Sequence, residues 1–100
     1  MTINSERNNY TLSLAVIGRL DTTTAPQLEA VISEQTEGIS ALVIDMIKLE
    51  YISSAGLRVL LAAHKKMAKA GGSFKLLNVN DDIMEVLDMT GFSDMLTIEN

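Results

Sequence analysis

The 100-residue chain contains no cysteine and no tryptophan, a single histidine, a single proline and only four aromatic residues. Without cysteine there can be no disulfide, no thiolate nucleophile, no zinc knuckle and no iron–sulfur ligand set. One histidine is too few for the imidazole-rich sites that most transition metals need, so neither a metal nor another cofactor is expected. Two tyrosines and two phenylalanines leave little for stacking on bases or sugars. Long apolar runs are missing too: nothing approaches the ~18 consecutive apolar residues of a membrane span, so direct membrane insertion is not expected. The N-terminal stretch Met1 to Arg7 lacks a basic lead into an apolar run, which reads as no secretory leader and a cytoplasmic location. Basic residues are outnumbered, eight against thirteen acids for a formal charge of −5, which argues against nucleic acid as the partner.

What is present is the composition of one globular domain, 47% apolar and 21% charged. Tyr10, Leu12, Leu14 and Val16 alternate with smaller or polar residues and predict a strand that ends at Gly18; Ile3 to Asn9 could supply a preceding strand and a hairpin turn. Asp21 to Thr24 reads as a polar loop. Thr24 is then placed as a helix N-cap with Gln27 as its capping-box partner and Pro26 in the first turn. Ala25, Leu28, Val31, Ile32 and Gln35 share a helical face, and Gly38 stops the helix. The run Ala41-Leu42-Val43-Ile44 predicts a short strand covered on both faces. Lys48 to Ile52 reads as a connection, and a second helix spans about residues 55–70, closed by Gly71-Gly72. Phe74 to Val79 is a further strand, Asn80 or Asp81 caps a third helix ended by Gly91, and residues 95–98 form a last short strand. Such alternation predicts a single-domain α/β fold over residues 1–100, its sheet largely parallel and four- to five-stranded, with helices packed on it.

Charge is distributed unevenly. Between Glu50 and Asp81 there is no acid, yet Arg58, Lys65, Lys66, Lys69 and Lys75 lie there; after position 80 there are six acids and no base. These charges suit the helix dipoles, and a basic stripe could also steer a partner protein.

Ser53-Ser54-Ala55-Gly56, where a loop enters the second helix, is the most unusual local feature. One serine can cap the helix while Ala55 and Gly56 allow close packing. A hydrolytic role for Ser54 fails on geometry: His64 is the sole imidazole, and ten helical residues separate the two by ~15 Å. The glycine pattern of a nucleophile elbow is missing, as is the glycine–lysine pattern of a phosphate-binding loop. An enzyme is therefore not expected. A hydroxyl at a helix N-terminus can instead accept a phosphoryl group without breaking the helix, since the dipole and free amides stabilise the added charge.

Gly18-Arg19-Leu20-Asp21 with Thr24-Ala25, Val43-Ile44-Asp45, Tyr51 to Arg58, and Leu87-Asp88-Met89-Thr90-Gly91-Phe92 together resemble the STAS domain, in particular the small stand-alone anti-sigma factor antagonists of bacteria. The resemblance implies a mixed, mostly parallel sheet with helices on it and a partner-switching role. In that role the protein binds an anti-sigma factor with serine-kinase activity, is released when phosphorylated, and is reset by a serine/threonine phosphatase. The serine it implies is Ser54, with Ser53 as second choice. Position 53 is often Asp in the family and position 55 often Ser, where this chain has Ser53 and Ala55. The implied partner-binding residues are Asp21, Thr22, Thr23, Ser53, Ser54, Ala55, Gly56 and Arg58. Asp21, and Asp45 more remotely, would lie near the phosphate as like charges. The rival expectation is a constitutive STAS adaptor subunit of a transporter or sensory complex, with Ser54 acting only as a cap.

Overall fold

The alternating segment after the first turn forms a ten-residue strand, and the rest of the molecule is arranged around it. The computed structural model describes residues 1–99. In chain order the elements are β1 (Thr2–Asn8), β2 (Thr11–Leu20), α1 (Ala25–Gln35), β3 (Ala41–Asp45), β4 (Leu49–Ile52), α2 (Ser54–Lys69), β5 (Ser73–Leu77), α3 (Asp81–Thr90), α4 (Phe92–Met95) and β6 (Thr97–Glu99). The sheet runs β1-β2-β3-β5-β6, with β4 pairing with β2 off that path. Only β1 is antiparallel, joined to β2 by a turn at Asn9, which holds a left-handed φ of 56°. The hairpin anticipated at the N-terminus is therefore present, although Tyr10 sits in its turn, 68% exposed, rather than on the buried face.

Three crossovers, β2–α1–β3, β3–α2–β5 and β5–α3–β6, step across the sheet in one direction. Parallel crossovers are almost always right-handed, which puts all three helices on the same face. The side-chain pattern agrees. Leu12, Leu14, Leu42, Ile44, Phe74 and Leu76 alternate along their strands and belong to one continuous core. The other face carries Ser13, Val43, Lys75 and Thr97 in one row and Ala15, Asp45, Leu77 and Glu99 in the next. The run Leu42 to Ile44 in β3 is buried on both faces, as its apolar sequence suggests, but helices cover only one of them. Val43 is buried outside the core cluster, shielded within the sheet by its neighbours, including the half-buried Lys75, whose aliphatic stem can cover apolar surface.

Two further boundaries differ from those read in the sequence. The segment taken as a connection contains β4, so the sheet has six strands among the described residues. The residues read as a single last strand divide into the short α4 and β6, because Leu96 closes a turn with its amide donating to the Phe92 carbonyl at 2.9 Å. α1 ends at Gln35, before the Gly38 expected to stop it, whereas the ends of α2 and α3 fall close to where expected. The Asn80 side chain caps α3 by accepting from the Ile83 amide at 2.9 Å, and Gly91 ends it in a left-handed conformation at φ 80°.

Candidate functional site

The site grows from the way β2 changes partners. Its first half, Thr11 to Ala15, pairs with β3, and its last three residues, Gly18 to Leu20, pair with β4. The register shifts between Gly18 and Arg19, and Gly18 takes a φ of +104° that an L side chain rarely adopts. Gly18 therefore does not end the strand; it lets the strand leave β3 and continue beside β4. The two parallel strands finish together, and the Ser53 amide donates to the Leu20 carbonyl at 2.9 Å. This pairing sets the 21–24 loop beside the start of α2.

The loop is organised by one carboxylate. Asp21 Oδ1 accepts from the Thr23 amide at 3.0 Å, the Thr23 hydroxyl at 2.8 Å and the Thr24 amide at 3.1 Å. Thr24 does not cap α1 in the manner expected from Gln27. Its hydroxyl donates to the Arg19 carbonyl at 2.8 Å and accepts from the Asp21 amide at 2.8 Å, tying the loop back to β2. The reason is competition: the nearby strand end offers this hydroxyl better partners than the helix amides do. The Thr23 hydroxyl bond, aided by the Thr23 and Thr24 amides and the Thr24 hydroxyl, holds the Asp21 carboxyl below its ordinary value despite opposing desolvation.

Two residues outside the anticipated partner-binding set border this loop. Arg19 lies over the Tyr51 ring, 4.2 Å from its centroid, and its Nε is 3.9 Å from Asp21 Oδ2. They are register partners on β2 and β4. The signal was available only to a reader who knew that β4 is a strand.

Helix α2 begins at Ser54, with Ser53 in extended conformation before it. The two hydroxyls differ. Ser53 Oγ is sealed from solvent and has no hydrogen-bond partner among the described residues. Ser54 is exposed, and no hydrogen bond of its hydroxyl occurs among the described residues. Gly56 is buried, and a β-carbon there would lie 2.7 Å from Leu20 Cγ and 2.9 Å from Ile52 Cγ1. The first turn of α2 is therefore seated directly on the ends of both strands. Thr22 and Arg58 are exposed and Ala55 is half-buried. The three line a groove between α1 and α2 that Pro26 and Glu29 help to form. Of the residues anticipated from the sequence, Asp21, Thr22, Thr23, Ser53, Ser54, Ala55, Gly56 and Arg58 all lie on this end of the molecule. Asp45 does not join them. Its carboxylate accepts from the Ile47 amide at 3.1 Å and from Asn78 Nδ2 at 3.0 Å, and all of β4, ~13 Å of chain, separates it from Ser53.

No cluster of three or more histidine, aspartate or glutamate side chains able to hold a metal occurs among the described residues. No helix among them is long and apolar enough to cross a membrane. The face combines small residues, the exposed Ser54 at the start of α2, a structured acidic loop with the exposed Thr22 and Thr23, and flanking guanidinium groups.

Comparison with known proteins gives a consistent picture. The family model described as STAS domain matches residues 2–100. BtrV of Bordetella bronchiseptica is 31% identical over 101 residues, covering 100% of this chain and 87% of that protein. The anti-sigma-B factor antagonist of Listeria monocytogenes is 30% identical, covering 95% of this chain and 84% of the relative. The crystal structure of an anti-sigma factor antagonist from Mycobacterium paratuberculosis superimposes with a TM-score of 0.85 at 28% identity, over 97% of this chain and 83% of that one.

Proposed function

The chain belongs to the STAS domain family, and from that premise we propose that it is an anti-sigma factor antagonist switched by phosphorylation at Ser54. In its unmodified form it binds an anti-sigma factor that is also a serine kinase, through the Asp21–Thr23 loop and the first turns of α2 out to Arg58. The kinase transfers the γ-phosphoryl group of ATP to Ser54 Oγ. A P–O bond forms at the serine as the bond to ADP breaks, and the hydroxyl proton passes to a base of the kinase. A serine/threonine phosphatase hydrolyses the ester and restores the binding form. Such a cycle belongs in the cytoplasm, where ATP is available.

One observation carries this reading: Ser54 presents an exposed hydroxyl on the first turn of α2, free of any hydrogen bond among the described residues. Nothing in the fold depends on that oxygen, so it can be modified without loss of structure. The sealed Ser53 hydroxyl is out of reach of a phosphoryl donor, which favours Ser54 of the two. A phosphoserine brings about −1.5 to −2 charges. The free amides of the helix N-terminus tolerate that charge in the isolated protein, but burying it against a partner beside Asp21 requires its desolvation, which opposes docking.

The test uses the cognate anti-sigma kinase with ATP, read by mass spectrometry and calorimetry. One phosphate is expected on the wild type and none on Ser54→Ala. Ser54→Asp should weaken binding by roughly 30- to 1,000-fold, the cost of desolvating a new negative charge in the interface, with an unchanged circular dichroism spectrum. Full phosphorylation of Ser54→Ala refutes the site. Binding indifferent to Ser54→Asp refutes the switch and favours a constitutive adaptor.

A further inference from the structure

Helix α2 carries no acidic residue from Ser54 to Lys69. Arg58 is exposed, and its guanidinium enters none of the ion pairs present among the described residues, which are Arg19–Asp21 and Lys75–Glu99. Ser54 and Arg58 are four residues apart on one helix, a spacing that stacks them on a single face with Cβ atoms ~5–6 Å apart. Helical side chains lean toward the N-terminus, over the preceding turn. Arg58 follows that rule, since it lines the groove together with Ala55 and with Thr22 of the preceding loop.

The other charged groups around Ser54 are accounted for. Arg19 is occupied by the Tyr51 ring and Asp21, and the Asp21 carboxylate is held by its own loop. From α1, Glu29 lines the same groove as Arg58, but as a single exposed negative charge it competes poorly with a phosphate dianion for a planar, bidentate donor.

We infer that Arg58 is the intramolecular clamp of the phosphorylated state: it pairs with the phosphoryl group on Ser54 and is thereby withdrawn from the docking face. The modification then acts twice, adding negative charge and removing the exposed Arg58 cation from a partner's reach. The inference rests on Ser54 being the modified residue.

The test is independent of any kinase. Phosphoserine is incorporated at position 54 by genetic code expansion into the full chain and into its Arg58→Gln variant, and the second ionisation of the phosphate is followed by phosphorus NMR. With Arg58 present, the phosphate should ionise at a pH lower by about half a unit, a roughly threefold change in proton affinity. The Arg58 Nε–H resonance should move with the same midpoint. Equal ionisation in both proteins overturns the clamp. Should Arg58→Gln fail to fold, an Nε–H resonance that stays still while the phosphate titrates overturns it on the unsubstituted chain. Failure of the kinase assay on Ser54 would instead count against the switching cycle, leaving this measurement unaffected.

Discussion

Replacing Gly56 by alanine sets two effects of opposite sign against each other. Alanine is favoured over glycine inside a helix by ~1 kcal/mol, so on propensity alone the variant should be more stable. The new β-carbon, however, would lie 2.7 Å from Leu20 Cγ, 2.9 Å from Ile52 Cγ1 and 3.0 Å from Leu20 Cδ2. Carbon atoms rest ~3.5–4.0 Å apart, so something must move by most of an ångström. Leu20 is 0% and Ile52 4% exposed, and each stands at the end of a hydrogen-bonded strand, so neither can step aside into solvent. Overpacking of this kind costs ~1–3 kcal/mol. Set against the propensity gain, the net loss is up to about 2 kcal/mol, or a fall in melting temperature of up to roughly 15 °C for a domain of this size. The assay is urea and thermal unfolding by circular dichroism at matched protein concentration. Because the strain is relieved by lifting the first turn of α2 from the strand ends, partner affinity should also drop under conditions where the variant is fully folded. A melting temperature above that of the wild type would refute the argument that close seating, not helix propensity, decides this position.

Three smaller perturbations examine the same end of the molecule and its neighbour. Ser53→Ala removes a sealed hydroxyl without a partner, so stability should stay level or rise by up to ~1 kcal/mol; a loss above that size would show that the hydroxyl caps α2 after all. Asp21 has a lowered folded pKa, so its stabilising contribution is complete above the ordinary value of 3.8 and disappears as pH falls through the depressed one. The gap in urea midpoint between wild type and Asp21→Ala should accordingly close on strong acidification, and a gap independent of pH would contradict the loop's dependence on the ionised carboxylate. Asn80→Ala removes both the cap to the Ile83 amide and a 3.0 Å bond from Nδ2 to the Leu49 carbonyl. It should cost ~1–2 kcal/mol in urea unfolding, and a neutral result would mean that β4 and α3 hold together without it.

Much of this architecture was legible in the residues. Period-two alternation in β2 and the helical spacing of α1 and α2 are local signals, and glycine marked the ends of α2 and α3 because few other residues tolerate the left-handed turn. The site was legible to the same extent: small residues and adjacent hydroxyls at a helix entrance, and an Asp-Thr-Thr-Thr loop. What escaped depends on contacts between distant segments. β4 is four residues long and meets β2 over only three, too short for any pattern to appear. Thr24 carries a recognisable capping signature, yet the nearby strand end claims its hydroxyl. Which of two neighbouring serines faces solvent turned on the single rotation between a loop residue and the first residue of a helix. The apolar run of β3 could not reveal that one of its faces carries no helix, since shielding by flanking strands leaves the same composition.

The change of partner along β2 bears on how fast this surface can be captured. A loop held by a carboxylate, a helix seated on two strand ends and a backbone bond between them leave little freedom to lose on association. Pre-organisation of that kind lowers the entropy lost in forming a complex, so the proposed complex should form at the pace of correctly oriented encounter rather than of rearrangement.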